Sequence, residues 1–318
     1  MTTFKEIRGT AIQSVSSDPT NPEVGQIWYN NTIGVLKGYR SLGGVWASGG
    51  NLGTARYSLA GAGTQTAGLA AGGGNPGNLT ATEEYNGSTW APGGNLGTAR
   101  RNITGAGTQT AGLVFGGFTT TSVANTEEYD GSTWSPGGSL STARRLLGGA
   151  GTQTSGLAAG GFIAPPATTT ATEEYDGSAW TAGGAMGTAR YRLAGSGTQT
   201  SALAFGGTLF PPEVIVANTE EYDGSTWTAG GSLNTAKSGL AGAGTQTATI
   251  AFGSPAVSES YNGTSWTNGA SLGTARTQLA GAGTQTLALA FGGFPSSGNS
   301  ATEEYTDPTL AVQKITTS

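Results

Sequence analysis

The side chains with most chemistry to offer recur along the chain at regular intervals. Adjacent carboxylates stand at Glu83-Glu84, Glu127-Glu128, Glu173-Glu174, Glu220-Glu221 and Glu303-Glu304, with Glu259 alone at the equivalent place. Two carboxyls about 5 to 10 Å apart across a substrate are what glycoside hydrolysis needs. Neighbouring residues of an extended segment point to opposite faces, so such a pair cannot converge on one bond. Recurrence in every repeat also points to scaffold. A basic series, Arg56, Arg100, Arg144, Arg190, Lys237 and Arg276, runs in step with the acids. If the repeats close on themselves, this series is expected to ring an axial channel, where it would suit an anion or a sialic-acid-like ligand. A repeated Arg–Glu tie between repeats is the simpler account. Cys and His are both absent, which excludes disulfides, thiolate nucleophiles, imidazole bases and every metal site built on those ligands. No catalytic residue, metal or cofactor is expected.

The elements that must position these groups are read from self-similarity. The motif G-[AS]-G-T-Q-T places Gln at 65, 109, 153, 199, 246 and 285, so there are six repeats spaced by 44, 44, 46, 47 and 39 residues. Each continues through an apolar run ending in Gly-Gly, a T-E-E-Y segment, a [DN]-G turn, a Trp, a second Gly-Gly and T-A-R or T-A-K. In the second repeat, strands are predicted over 102–107, 111–115, 126–129 and 132–134, the last two joined across Asp130-Gly131 in a tight hairpin. Four short strands per ~44 residues make a propeller blade. Small residues in the first strand suit a crowded axis, and Trp and Tyr in the last two suit the wider outer spaces.

The order of Gly-Gly, Tyr, Trp and a basic residue at these places resembles kelch repeats from residue 43 to about 310. The resemblance implies an all-β, six-bladed kelch-like β-propeller with four-stranded blades. Galactose oxidase shares the kelch-type propeller, but its copper site uses a Tyr–Cys crosslink and His ligands, and this chain has neither Cys nor His. The segment 44–50 matches 88–94 nearly position for position, and Leu310 stands where the last Trp is expected. The strand around Trp46 is therefore expected to complete the blade of Gln285 and Tyr305, with 310–315 as the rival, giving a propeller over 43–318 and an extension over 1–42.

One loop absorbs every insertion. From the Gly-Gly pair, or its equivalent, to the first Glu the intervals are 10, 10, 12, 13, 5 and 10, and these differences account for the spacing between repeats. The loop is apolar, with Phe118; Phe162, Ile163, Pro165 and Pro166; Leu209, Phe210, Pro211, Pro212, Val214 and Ile215; and Phe294 and Pro295. Exposed apolar clusters mark interfaces, although such residues also fold down over blade edges. A partner site is expected on repeats three and four at Phe162, Ile163, Leu209, Phe210 and Ile215, flanked by Phe118 and Phe294, with a cleft edge near Pro255. The opposite face, with its G-T-Q-T and [DN]-G turns, reads as turn chemistry that satisfies its own backbone, although repeated Thr and Gln could also hold sugars.

Residues 18–39 resemble segments near the start of phage tail-fibre and other virion proteins. They read as a hairpin, 27–30 against 35–39, that is marginal alone and should pack on the propeller or a neighbouring subunit. The resemblance implies a structural protein of a virion; residues 1–8 lack the apolar core of a secretion signal, so synthesis in the host cytoplasm is expected. It would bind a host surface glycan or protein, join other virion proteins through 1–42, and be compatible with a homo-oligomer. A free lectin-like or protein-interaction propeller is the alternative. The net charge of −5 offers no basic field for nucleic acid, and no apolar run is long enough to insert in a membrane.

Overall fold

The computed structural model describes residues 12–19, 26–40, 44–163, 167–253, 255–295, 297–307 and 311–314. The chain forms two compact units, one of Val45–Thr306 and one of Met1–Gly44 with Asp307–Ser318.

Within Val45–Thr306 the repeats fold into six four-stranded antiparallel sheets. The first runs Ala60–Gly63, Gly68–Ala71, Thr82–Tyr85 and Trp90–Pro92, each strand paired with the next. In the second sheet the strands are Thr104–Gly107, Gly112–Phe115, Thr126–Tyr129 and Trp134–Gly137. The last strand begins at Trp134 rather than ending there. Tyr129 pairs with Trp134, so the connection is four residues long, and only Gly131 in it takes a positive φ. The expected two-residue hairpin is replaced because the Asp130 carboxylate accepts the backbone N–H groups of Ser132 and Thr133, a turn that side-chain capping stabilises.

The sixth sheet is completed from the N-terminal side. Its strands Ala280–Gly283, Leu287–Phe291 and Thr302–Thr306 are followed outward by Val45–Ser48, with Trp46 opposite Tyr305. Ala311–Lys314 pairs elsewhere, against Val35–Arg40, so residues after Thr306 belong with the N-terminal unit and not with the propeller range of 43–318. In that unit Ile27–Asn30 and Val35–Arg40 form the hairpin, widened by Gln13–Val15 on one side and Ala311–Lys314 on the other. Two added strands provide the support that a lone hairpin lacks. Trp28 is fully buried there, and Asp18 accepts from Trp28 Nε1, Asn30 Nδ2 and Lys37 Nζ. These bonds, led by the one from Lys37, lower the Asp18 pKa to about 2. Residues 1–11, 20–25 and 41–43, Leu310 and 315–318 lie outside the described residues.

Adjacent sheets are joined by the repeated polar and aromatic side chains. Each repeat Gln reaches back to the preceding sheet, where Gln153 Nε2 donates to Gly112 O at 3.1 Å and Tyr129 O at 2.7 Å. The G-T-Q-T turn therefore satisfies its own backbone through its first Thr, as where Thr108 Oγ1 accepts the N–H of Ala111 at 3.0 Å, and its neighbour's backbone through the Gln. Trp134 Nε1 donates to Thr82 Oγ1 across the same kind of boundary at 2.9 Å. Trp180 and Trp266 are buried and Trp134 is half-buried, each packed on the Tyr of its own sheet. The second Glu of T-E-E-Y supplies a third tie, since Tyr129 donates to Glu84 Oε1 at 2.5 Å.

At the axis the first strands approach so closely that Gly is required. A Cβ on Gly105 would stand 2.7 Å from Gly61 O and 3.1 Å from Ala60 Cβ. Gly105→Ala is expected to destabilise the protein by about 1–3 kcal/mol in denaturant unfolding, the usual cost of overpacking. A pH series checks the Tyr–Glu ties. Burial and then the bond to Glu84 push the Tyr129 hydroxyl up to about 12, against about 10 when unfolded. The folded state therefore holds a proton that the unfolded state loses in this window, so the contribution of Tyr129 is complete below pH 10 and lost toward pH 12. The stability advantage of wild type over Tyr129→Phe should shrink across that range.

Candidate functional site

The sheets carry on one face the loops that join their second and third strands. Each of the longer loops starts at a Gly-Gly pair in left-handed backbone, such as Gly116 (φ 64°) and Gly117 (φ 113°), which ends the strand and turns the chain. The next residue then pairs back onto the segment entering the same sheet. Phe118 N donates to Arg101 O at 2.7 Å, and Arg101 N to Phe118 O at 3.1 Å. Phe162 pairs in the same way with Arg145, and Thr208 with Tyr191.

This pairing brings rings and guanidinium groups into one row. Arg101 lies over the Phe118 ring at 5.3 Å, and Arg145 lies over Phe118 at 4.9 Å and Phe162 at 4.7 Å. Phe162 meets Tyr191 edge-on at 5.3 Å and Phe210 at 5.9 Å. Such stacks stabilise at each contact, more so where water is excluded. Burial, and next the Arg101 charge, lower the Arg145 pKa. Side-chain bonds from Arg145 to Ser122 Oγ at 2.9 Å and from Arg101 to Asn78 Oδ1 at 3.2 Å hold the cations in place.

The fourth sheet's loop is itself a small hairpin, Thr208–Leu209 against Val214–Ile215. Val214 and Ile215, its second strand, are exposed, 45% and 56%. Thr168 Oγ1 donates to Phe210 O at 3.4 Å, and Tyr191 donates to Glu213. Phe118, Phe162 and Phe210 are thus brought together, with Leu209 and Ile215 on the hairpin beside them. Ile163 is half-buried and hydrogen-bonded through its N–H to Ala167 O. Phe294 stands with Tyr57 instead, at 5.3 Å. Pro165 and Pro166 lie outside the described residues. The partners missing from the sequence reading are Arg101, Arg145 and Tyr191. Their signal was the residue directly after T-A-R, aromatic or basic in repeats one to four.

The basic series does not line the channel. Arg56, Arg100, Arg144, Arg190, Lys237 and Arg276 are buried, and each pairs with the first Glu of its own sheet, Arg100 to Glu127 at 2.9 Å for example. The expected tie between repeats is therefore an intra-sheet pair. The guanidinium turns outward because two carbonyls of the same sheet need it: Arg100 Nη1 also donates to Gly116 O and Asn125 O. Glu127 in turn accepts the N–H of Gly97 in the segment arriving from the previous sheet. Burial lowers the Arg100 pKa and Glu127 opposes that shift. Each T-E-E-Y pair is divided, one carboxylate held by the buried base and the other by the Tyr of the next sheet.

A cavity of about 130 Å3 does lie on the axis, and Pro255 is not among its lining residues. Its rim is formed two residues after the basic series, by Ser58, Asn102, Leu146, Arg192, Gly239 and Gln278. Their backbones close a circle of six hydrogen bonds, Ser58 N to Gln278 O at 2.8 Å, Asn102 N to Ser58 O at 2.8 Å, and onward through Leu146, Arg192 and Gly239.

No protein-family model matches the chain, and no curated protein does. Solved structures with similar folds include the structure of YjhT, 13% identical, with a TM-score of 0.67 over 83% of this chain and 99% of that one. At this identity the likeness concerns fold alone, and it agrees with the four-stranded sheets in making the chain a β-propeller. Glu127→Gln is expected to cost about 3–5 kcal/mol in urea unfolding, because it leaves Arg100 buried without a countercharge.

Proposed function

We propose that the chain is a six-bladed, kelch-like propeller that serves as a non-enzymatic binding module of a phage virion. The loop face of the third and fourth sheets grips a host surface glycan or protein, and residues 1–42 hold the module to other virion proteins. The observation that carries the binding reading is the row of Arg101, Phe118, Arg145, Phe162 and Phe210, which ends beside the exposed strand Val214–Ile215. Aromatic and Arg anchors, set in a polar surface, are the residues that dominate interface energies. The kelch reading is supported by the repeat order and the six four-stranded sheets. A non-enzymatic role is supported by the division of each carboxylate pair between two structural partners. The virion reading rests on the resemblance of residues 18–39 to virion segments.

Cell-binding assays test the loop face. Phe210→Ala should weaken binding by about 2 kcal/mol or more with the fold retained. Thr152→Ala, exposed on the opposite face, should not. Gln153→Ala is unsuited as that control, since its side chain joins two sheets. Equal binding by wild type and Phe210→Ala would reject the loop face. Deleting 1–42, which spares the closing strand Val45–Ser48, should abolish incorporation into particles while leaving receptor binding. Unchanged incorporation would reject the attachment role.

A further inference from the structure

The axial rim is one of the places where this repetitive sequence stops repeating. The preceding basic residue and the following Leu or Ile are nearly constant through the six repeats, yet the rim position between them is Ser58, Asn102, Leu146, Arg192, Gly239 and Gln278, six different residues. All six take a left-handed backbone, with φ of 55° or 56° at the five non-glycine positions. That conformation disfavours side chains other than Asn, and Gly239 demonstrates that glycine closes the circle equally well. Side chains kept in such backbone, around a cavity, mark a site of use.

Three of the six carry nitrogen donors, Asn102, Arg192 and Gln278. Arg192 is the one charged residue lining the cavity. It is also the one arginine between Val45 and Thr306 whose side chain makes no hydrogen bond or ion pair among the described residues, its partner being the Tyr191 ring at 5.4 Å. Ser58 donates to Gln278 Oε1, which leaves the Gln278 amide nitrogen as a donor without an acceptor among the described residues, and the Asn102 amide nitrogen is in the same state. The rim thus presents a guanidinium and two amide donors, with no carboxylate in the lining. A planar guanidinium fork matches a carboxylate, which is acceptor-only and carries the opposite charge.

We propose that the axial mouth binds a carboxylate-bearing small molecule, with Arg192 forming the ion pair and Asn102 and Gln278 donating to the same ligand. The site uses side chains other than those of the loop row, which it meets at the Tyr191 ring beneath Arg192.

Titration calorimetry with propionate, D-glucuronate, D-glucose and inorganic phosphate tests the assignment on the full chain. At least one of the two carboxylates should bind tenfold or more tighter than glucose and than phosphate. Arg192→Gln should weaken that binding at least tenfold with an unchanged thermal midpoint, and Arg192→Lys should recover part of it. Failure of both carboxylates to bind wild type, preference for phosphate, or full binding by folded Arg192→Gln would overturn the proposal. Should Arg192→Gln fail to fold, Asn102→Ala with Gln278→Ala serves in its place, and undiminished binding by that variant has the same force. Loss with Phe210→Ala but not with Arg192→Gln would overturn the axial site while leaving the loop-face reading intact.

Discussion

Everything in Val45–Thr306 depends on bringing a chain of repeats around to meet itself. A four-stranded sheet in such a chain needs a neighbour on each side, and only a closed circle supplies one to every sheet. Closure is made at two radii. At the axis, six backbone hydrogen bonds run from each rim residue to the one before it, from Ser58 to Gln278 without a break. At the periphery, Val45–Ser48 adds the outermost strand to the sheet that holds the last repeat, so the two ends of the repeat array share one sheet.

Between those radii each boundary is held by ties of different chemistry. The Gln of one repeat covers two carbonyls of the preceding sheet, the Trp indole donates to its Thr or Ser, and five of the Tyr hydroxyls meet a carboxylate, Ser260 standing where the fifth sheet would offer one. Satisfying buried polar groups across a boundary makes the neighbour's position specific in a way that apolar packing alone does not. The arginines act within each sheet, where their Glu partners also receive the incoming segment. So much of the repeat is committed to these roles that the widest variation falls in the loops after Gly-Gly, the residues following T-A-R and the axial rim.

Those variable positions lie close together in space. Tyr191 is contacted by Arg192 from the rim and by Phe162 from the loop row, so axis and loops are linked through one buried ring. A rigid scaffold beneath variable loops is the arrangement on which binding surfaces are commonly built.

The sequence by itself determined the number of repeats, the strand order within each, the loop that takes every insertion and the strand around Trp46 as the candidate for closure. These are local matters: alternation of side chains, turn residues and spacing all act over a few positions. It did not reveal that Gln153 serves the neighbouring sheet, that Glu127 and Glu128 serve different sheets, or that Ala311–Lys314 pairs with Val35–Arg40. The first two depend on how successive sheets are rotated against each other, and the third on a pairing between segments near the two ends of the chain, neither of which any spacing encodes. The axis is the clearest case. The basic series was expected to face the channel, but each base turns to carbonyls of its own sheet, and the left-handed residue two positions on carries the backbone to the rim. Only the folded chain decides which of two nearby positions faces the cavity, because the choice depends on which unsatisfied carbonyls lie within reach of the guanidinium.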